Sequence, residues 1–204
     1  MIKSFLLGVV LTIAAIVVAL YFIITTGTIS AGADSGPLPL ERWASHALLH
    51  AALTQEAPKE QNPVALSDQN LIAGIQLYAQ HCAICHGTAQ GDASASGVAK
   101  GEYPRPPQLA TDGVEDDPEG VTYWKLDHGI RWTGMPSWKD TLSEQQMWTL
   151  ALFLKHMDKL SPAAQQVWQQ VTNAPPAAPA ATPSGTPPAT PSGTPPATPP
   201  PPSS

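Results

Sequence analysis

The sequence has little cysteine and little charge, and each shortage excludes a class of protein. Its 2 cysteines, Cys82 and Cys85, leave no second pair, so a zinc site with four cysteine ligands is excluded. They can still form one small disulfide, contribute to another kind of metal site or attach a cofactor. The 16 acidic residues outnumber the 10 basic ones, and a net charge of −6 gives no electrostatic footprint for binding nucleic acid.

Charge is missing altogether from Phe5–Ile24, near the N-terminus. A helix rises about 1.5 Å per residue, so a run of about twenty apolar residues spans the roughly 30 Å hydrocarbon core of a membrane. We therefore predict a transmembrane anchor within residues 1–29, and Lys3 favours a cytoplasmic N-terminus with the rest of the chain exported. A cleaved signal peptide is the alternative, because Ala31-Gly32-Ala33 resembles a cleavage site, although it lies beyond the apolar run.

Charge is missing again from the C-terminal end, residues 161–204. Thirteen of the 23 prolines lie between Pro175 and Pro202, and the segment Ala181–Pro188 is repeated as Ala189–Pro196. A segment made of Pro, Ala, Thr, Ser and Gly does not build a packed core. We predict that residues 161–204 form a disordered tail.

Between these ends, residues 62–160 are enough for one modest domain. Residues 30–61 are predicted to be a connector. Leu40–Leu53 contains neither Gly nor Pro, which predicts a helix resting against the domain or the membrane surface. Pro58 and Pro63 then interrupt the chain before the domain begins.

The two cysteines belong to the sequence Cys82-Ala83-Ile84-Cys85-His86, which has the Cys-x-x-Cys-His pattern of covalent haem attachment. Two thiols one helical turn apart can add to the two vinyl groups of one porphyrin edge, and His86 is then carried beneath the iron. A thioredoxin-like redox pair would need a βαβ setting, whereas the neighbourhood reads as helical. The motif predicts a single covalent haem c with His86 as an iron ligand.

A helix is predicted to lead into this motif. Ser67 is a suitable N-cap, and Leu71, Ile75 and Tyr78 follow at helical spacing. Gly74 lies on the same face, one turn before Tyr78. Because a glycine inside a helix costs about 1 kcal/mol relative to alanine, we expect close approach of another helix there.

Capping residues predict two later helices. Asp117 is predicted to be an N-cap with Pro118 at the first helical position, and Gly129 is predicted to follow that helix, which ends at His128. Ser143 and Gln146 form the pattern of a capping box at the start of the final helix.

The opposite face of the iron requires a sixth ligand or an open position. Met135 is the best candidate, because Gly134 before it and Pro136 after it prevent a regular helix and present its side chain from a turn. A histidine ligand or a vacant position remains the alternative.

These motifs resemble a class I cytochrome c over roughly Asn62 to Leu160, and most closely the membrane-anchored, single-haem bacterial cytochromes. The resemblance rests on the Cys-x-x-Cys-His motif, the later Gly-Met-Pro-x-Trp segment and an apolar final helix. The resemblance implies a small all-α fold around one haem, with its first and last helices crossing near Gly74 and Trp148. It also implies His86 as the proximal and Met135 as the distal ligand.

The resemblance extends to a proline-containing loop, Tyr103-Pro104-Arg105-Pro106-Pro107. It implies that the carbonyl of Pro106 or Pro107 accepts a hydrogen bond from the proximal histidine. It also implies that Arg105 or Trp138 lies near a haem propionate.

With both axial positions filled, substrate does not reach the iron, which favours one-electron transfer over catalysis. We expect a carrier that is not itself an enzyme, has no small-molecule substrate, and shuttles electrons between respiratory or periplasmic redox proteins. Its expected location is the bacterial inner membrane, with the haem domain on the periplasmic side. The alternatives are a haem subunit of a larger dehydrogenase or oxidase and a gas-responsive haem protein.

An acidic cluster precedes the third helix of the domain: Asp112, Glu115, Asp116, Asp117 and Glu119. It is either a solvated loop whose acids favour a helix N-terminus or a docking patch for a basic partner.

Overall fold

A computed structural model describes residues 2–172 of the chain, and all the regular structure in that part is helical, so the all-α prediction is confirmed. The α-helices are α1 Ile2–Thr25, α2 Glu41–Glu56, α3 Asp68–His81, α4 Ala83–His86, α5 Gly97–Gly101, α6 Leu109–Asp112, α7 Glu119–His128, α8 Glu144–Lys155 and α9 Pro162–Gln169. Short 3₁₀ turns lie at Asp92–Ser94 and Met157–Lys159.

The domain is built on the crossing of α3 and α8. A β-carbon added to Gly74 would lie 2.6 Å from the Cβ of Phe153 and 2.8 Å from the carbonyl oxygen of Thr149. Real Cβ atoms do not come so close to other atoms, so only glycine fits. The predicted close approach at Gly74 is confirmed, and its partners on α8 are Thr149, directly after Trp148, and Phe153, one turn further on.

Both of these helices begin where the sequence predicts. The Ser67 hydroxyl accepts a hydrogen bond from the backbone of Asn70, and Ser143 and Gln146 form a complete capping box. After that cap, every residue from Met147 to Leu154 is buried, because α8 packs against both α3 and α7. The core therefore forms around α8 rather than on one side of it.

The predicted start of α7 is wrong by one residue. Pro118 is the N-cap and makes no side-chain capping bond, while the carboxylate of Asp117 pairs with Lys125 at 2.6 Å. The carboxylate of Asp117 therefore binds Lys125, the seventh residue of α7, instead of capping the first turn of the helix. The predicted end is confirmed, since Gly129 follows His128 with a φ of 67°.

The predicted start of the disordered tail is also wrong. The helix α9 begins at a Ser161 cap, and the indole of Trp168 is only 3% exposed, with its ring centroid 5.3 Å from those of Tyr78 and Phe153. The segment has no charge, yet Ala164, Trp168 and Val171 are buried and complete the core against α3. The Pro-rich repeats of the predicted tail lie outside the described residues.

The predicted connector helix is confirmed as α2, which lies against the domain. Its first residue, Glu41, accepts a hydrogen bond from the Tyr103 hydroxyl at 2.9 Å, and Ala57 just after its end is buried. The carbonyl of Pro58 packs directly against Gly120 of α7, where there is no space for a side chain. In the described part of the chain, α1 is the helix with the length and composition to cross a membrane, and none of its residues is buried.

Candidate haem-binding site

The attachment motif is a single helical turn placed at the end of α3. Cys82 is the C-cap of α3, and α4 follows at once, with the amide groups of Cys85 and His86 donating to the carbonyl of Cys82 at 3.1 and 2.9 Å. This turn holds both thiols and the imidazole on one rigid unit. Both cysteines are free thiols rather than a disulfide, as attachment requires.

The imidazole of His86 is oriented by the proline loop. Its Nδ1 lies 2.9 Å from the carbonyl oxygen of Pro107. A carbonyl only accepts, so Nδ1 carries the hydrogen and Nε2 keeps its lone pair for a metal ion. Burial also lowers the pKa of His86, which favours the neutral, ligating form.

Pro107, and not Pro106, is therefore the partner of the His86 imidazole. The carbonyl of Pro106 instead accepts from the side-chain amide of Gln108 at 3.3 Å. Successive carbonyls in an extended Pro-Pro segment point in different directions, and which of them meets the imidazole depends on the path of the loop.

Gln108 is a site residue that no sequence pattern singles out. Its side chain is 1% exposed, and its Nε2 donates to the carbonyl of Cys85 at 3.0 Å as well as to Pro106. It joins the attachment turn to the proline loop. The left-handed Gly87, with a φ of 74°, leaves room for this amide, which any side chain at residue 87 would strike.

Tyr78 supports the same turn from the core side. Its hydroxyl donates to the carbonyls of His86 at 3.1 Å and Gly87 at 2.9 Å, while its ring packs edge-on against Phe153. Periodicity placed Tyr78 on the buried face of α3, but its polar end could not be assigned from the sequence. The hydrogen bonds satisfy carbonyls that end α4.

The two thiols differ in their surroundings. Burial raises the pKa of Cys82 to about 12. Burial and the neighbouring Glu102 carboxylate raise the pKa of Cys85 to about 11, and the thiol donates to that carboxylate at 3.5 Å. Both groups are therefore neutral thiols at neutral pH, the form that supplies both the sulfur and the hydrogen added to a vinyl group.

Met135 is half-buried and lies in a loop that is held together by hydrogen bonds between its own residues. Its amide donates to the Thr133 hydroxyl at 3.1 Å, and its carbonyl accepts from the amide of Ile130 at 3.0 Å. Trp132 in this loop is exposed and has a φ of 62°, a left-handed conformation that bulky residues rarely adopt. The predicted turn around Met135 is present, and its side chain packs on the edge of the core.

The two residues suggested for the propionates have different surroundings. Arg105 is exposed and pairs with Asp92 at 3.3 Å. Trp138 is half-buried, its ring lies 5.3 Å from that of His81, and its indole N–H is buried without a hydrogen-bond partner among the described residues. An unsatisfied buried donor fits an acceptor supplied by a bound group, so Trp138 is the stronger candidate.

The donor set as a whole fits a haem c. Two free thiols, a neutral imidazole with Nε2 available, a half-buried thioether and an orphaned indole N–H are what the group needs. Within residues 2–172, no three His, Cys, Asp or Glu side chains form a cluster that could hold a metal ion directly.

The acidic cluster before α7 is largely used inside the domain. Asp112 accepts from the amide of Gln108, Glu115 from the amide of Val114, Asp117 from Lys125 and Glu119 from the side chain of Asn62. These bonds give most of the acidic cluster a structural role within the domain.

Comparison with known proteins gives a matching family. The family model described as "Cytochrome C oxidase, cbb3-type, subunit III" matches residues 69–154. Among solved structures, a chain of the Kuenenia stuttgartiensis reducing HAO-like protein complex is 22% identical, with a TM-score of 0.39 over 66% of this chain and 70% of that one. A comparison with curated proteins returned no match.

Proposed function

Residues 69–154 form a class I c-type cytochrome domain, and from that premise we propose that the chain is a one-electron carrier with a single haem c. Haem-based electron transfer follows from the family. The single haem, the ligands and the location are our proposal. The observation that carries it is the His86–Pro107 contact, which frees Nε2 on the same helical turn that presents both thiols.

In this proposal, Cys82 and Cys85 form the two thioether bonds, His86 is the proximal ligand and Met135 the distal one. The iron supplies the couple between its ferric and ferrous states. The Pro107 carbonyl holds the imidazole in one tautomer and increases its basicity. Met135 fills the position at which a substrate would bind, and burial of the ligands in the domain limits access of water.

The distal ligand is tested with Met135→Ala in the haem-loaded protein. The oxidised wild type should show the weak far-red charge-transfer band of methionine-ligated ferric haem, and the variant should lose it and bind CO readily when reduced. Met157→Ala is the matched control, because Met157 is buried in the core and belongs to no loop of the site. An unchanged Met135→Ala spectrum would refute the assignment and restore the gas-responsive alternative.

Attachment is tested separately with Cys82→Ala and Cys85→Ala. Each single variant should retain haem through one bond, and the double variant should release it into acidified acetone. Haem that stays bound to the double variant would contradict the thioether assignment.

We also propose that α1 anchors the chain in the bacterial inner membrane, with the haem domain on the periplasmic side. Its length and composition support an anchor, and Lys3 supports the orientation. The partners in this setting are other redox proteins.

A second candidate is a haem subunit fixed within a larger oxidoreductase. The matching family is described as a subunit of an oxidase, which favours this candidate. Size measurement of the detergent-solubilised protein separates the two: a stable larger complex supports the subunit, and a free monomer supports the shuttle.

A further inference from the structure

Glu102 lies between the attachment turn and the loop of Met135. Its Oε1 is 3.5 Å from the sulfur of Cys85, and a β-carbon added to Gly134 would lie 2.6 Å from its Oε2. One carboxylate thus contacts both the residue that binds the porphyrin edge and the residue that precedes the distal ligand. Neither contact is local in sequence.

The contact with Cys85 locates the carboxylate relative to a bound haem. The sulfur of Cys85 is the atom that bonds to a vinyl group, so a carboxylate beside this sulfur lies beside the porphyrin edge. Thioether formation also removes the S–H, and with it the one hydrogen bond that the Glu102 side chain accepts among the described residues.

The carboxylate of Glu102 forms no ion pair among the described residues. In the described part of the chain, the ion pairs formed are Arg105 with Asp92, Lys125 with Asp117, His128 with Asp127 and Lys159 with Asp158. Glu102 is in none of them. It is also half-buried, so water and salt screen its charge less than they screen that of an exposed residue.

We propose that Glu102 tunes the reduction potential of the haem. A negative charge at the porphyrin edge stabilises the ferric state, which carries one more positive charge than the ferrous state, and therefore lowers the potential. The absence of a side chain at Gly134 is what lets the carboxylate occupy this place. This inference rests on the proposed function, because it requires a haem attached at Cys85.

The test is a redox titration of the haem-loaded full chain at fixed pH and ionic strength. Glu102→Gln keeps the size of the side chain and removes its charge, so its midpoint potential should be higher than that of the wild type. Glu102→Asp keeps the charge and should fall between the two. Glu60→Gln makes the same charge change in the connector, where the side chain is exposed, and should leave the midpoint potential at the wild-type value.

The far-red methionine band is recorded for each variant, so that a change of ligand is not mistaken for a change of charge. A Glu102→Gln potential equal to that of Glu60→Gln, with the band retained, would overturn the proposal. Failure of Glu102→Gln to take up haem, while Glu102→Asp takes it up normally, would also overturn it by assigning the carboxylate to attachment. A wild-type chain that holds no covalent haem would refute the proposed function itself. The covalent haem content is therefore measured before any potential.

Discussion

Gly74 of α3 meets Phe153 of α8 so closely that a single added methyl group would lie 2.6 Å from the Cβ of the phenylalanine. The same β-carbon would lie 2.8 Å from the backbone of Thr149, which cannot move aside as a side-chain end can. The separation of the two main helices is therefore set at this point.

We expect Gly74→Ala to destabilise the haem-loaded protein by about 1–3 kcal/mol, the usual cost of overpacking a core. Gly101→Ala is the control, since a β-carbon at Gly101 in α5 meets nothing within 4 Å. Urea unfolding followed by circular dichroism measures both. Equal stability of the two variants would show that the helices can separate without cost.

Removal of the Tyr78 hydroxyl should also be costly. Tyr78→Phe leaves the carbonyls of His86 and Gly87 without this donor at the buried end of the haem-binding turn, a loss of about 1–3 kcal/mol. The measurement is denaturant unfolding of the haem-loaded protein at pH 7. A variant as stable as the wild type would mean that water or another donor replaces the hydroxyl.

The effect of Tyr78→Phe should depend on pH. Burial raises the pKa of Tyr78 well above its usual value of 10.0. Above about pH 10 the unfolded chain releases this proton and the folded chain keeps it, so the wild type loses stability as the pH rises. The variant has no such group, so the stability gap between the two proteins should narrow from pH 10 upward, as unfolding curves at pH 7, 9, 10 and 11 would reveal.

Trp138→Phe tests the orphaned indole. If its N–H donates to a charged haem propionate, the variant should lose about 1–3 kcal/mol of stability in the haem-loaded form. Trp124→Phe is the comparison, because the Trp124 indole N–H is likewise buried without a partner, while its ring stacks on His128. A larger loss in Trp124→Phe would transfer the propionate role to that residue.

Removal of residues 2–25 should convert the protein from one that requires detergent to one that is extracted in water with its haem spectrum unchanged. The physical reason is that α1 is apolar and makes no buried contact with the domain. N-terminal sequencing of the full-length protein separates an anchor from a cleaved signal. A mature chain that begins after Ala33 would contradict the anchor.

The parts of the fold that the sequence predicted are those with local signals. Serine caps at Ser67 and Ser143, the glycine that follows α7 and the Cys-x-x-Cys-His turn each depend on residues within a few positions of one another. Gly74 also predicts a close contact, because a glycine inside a helix lowers stability unless another element packs closely against it.

The remainder depends on contacts distant in sequence. The choice of Pro107, the buried amide of Gln108 and the placement of Glu102 all follow from the path of the chain between Gly87 and Pro107, which no local pattern determines. The helix α9 is hidden for a different reason: its segment has no charge and adjoins the Pro-rich repeats, so its composition resembles that of a tail although its apolar positions lead up to the buried Trp168.

The docking of α2 on the domain, through Glu41 and Ala57, limits how far the domain can travel from α1. Free chain remains only between Thr25 and Glu41, about fifteen residues with a maximum reach of about 50 Å and a typical end-to-end distance of about 20 Å. If α1 spans the bilayer, as proposed, the start of α2 stays within about 50 Å of the membrane surface, and the domain is held in a layer next to it. A partner in the same membrane is then met within this layer, so the two proteins search a much smaller volume than the whole compartment, although their encounter rate still rises with the number of copies of each.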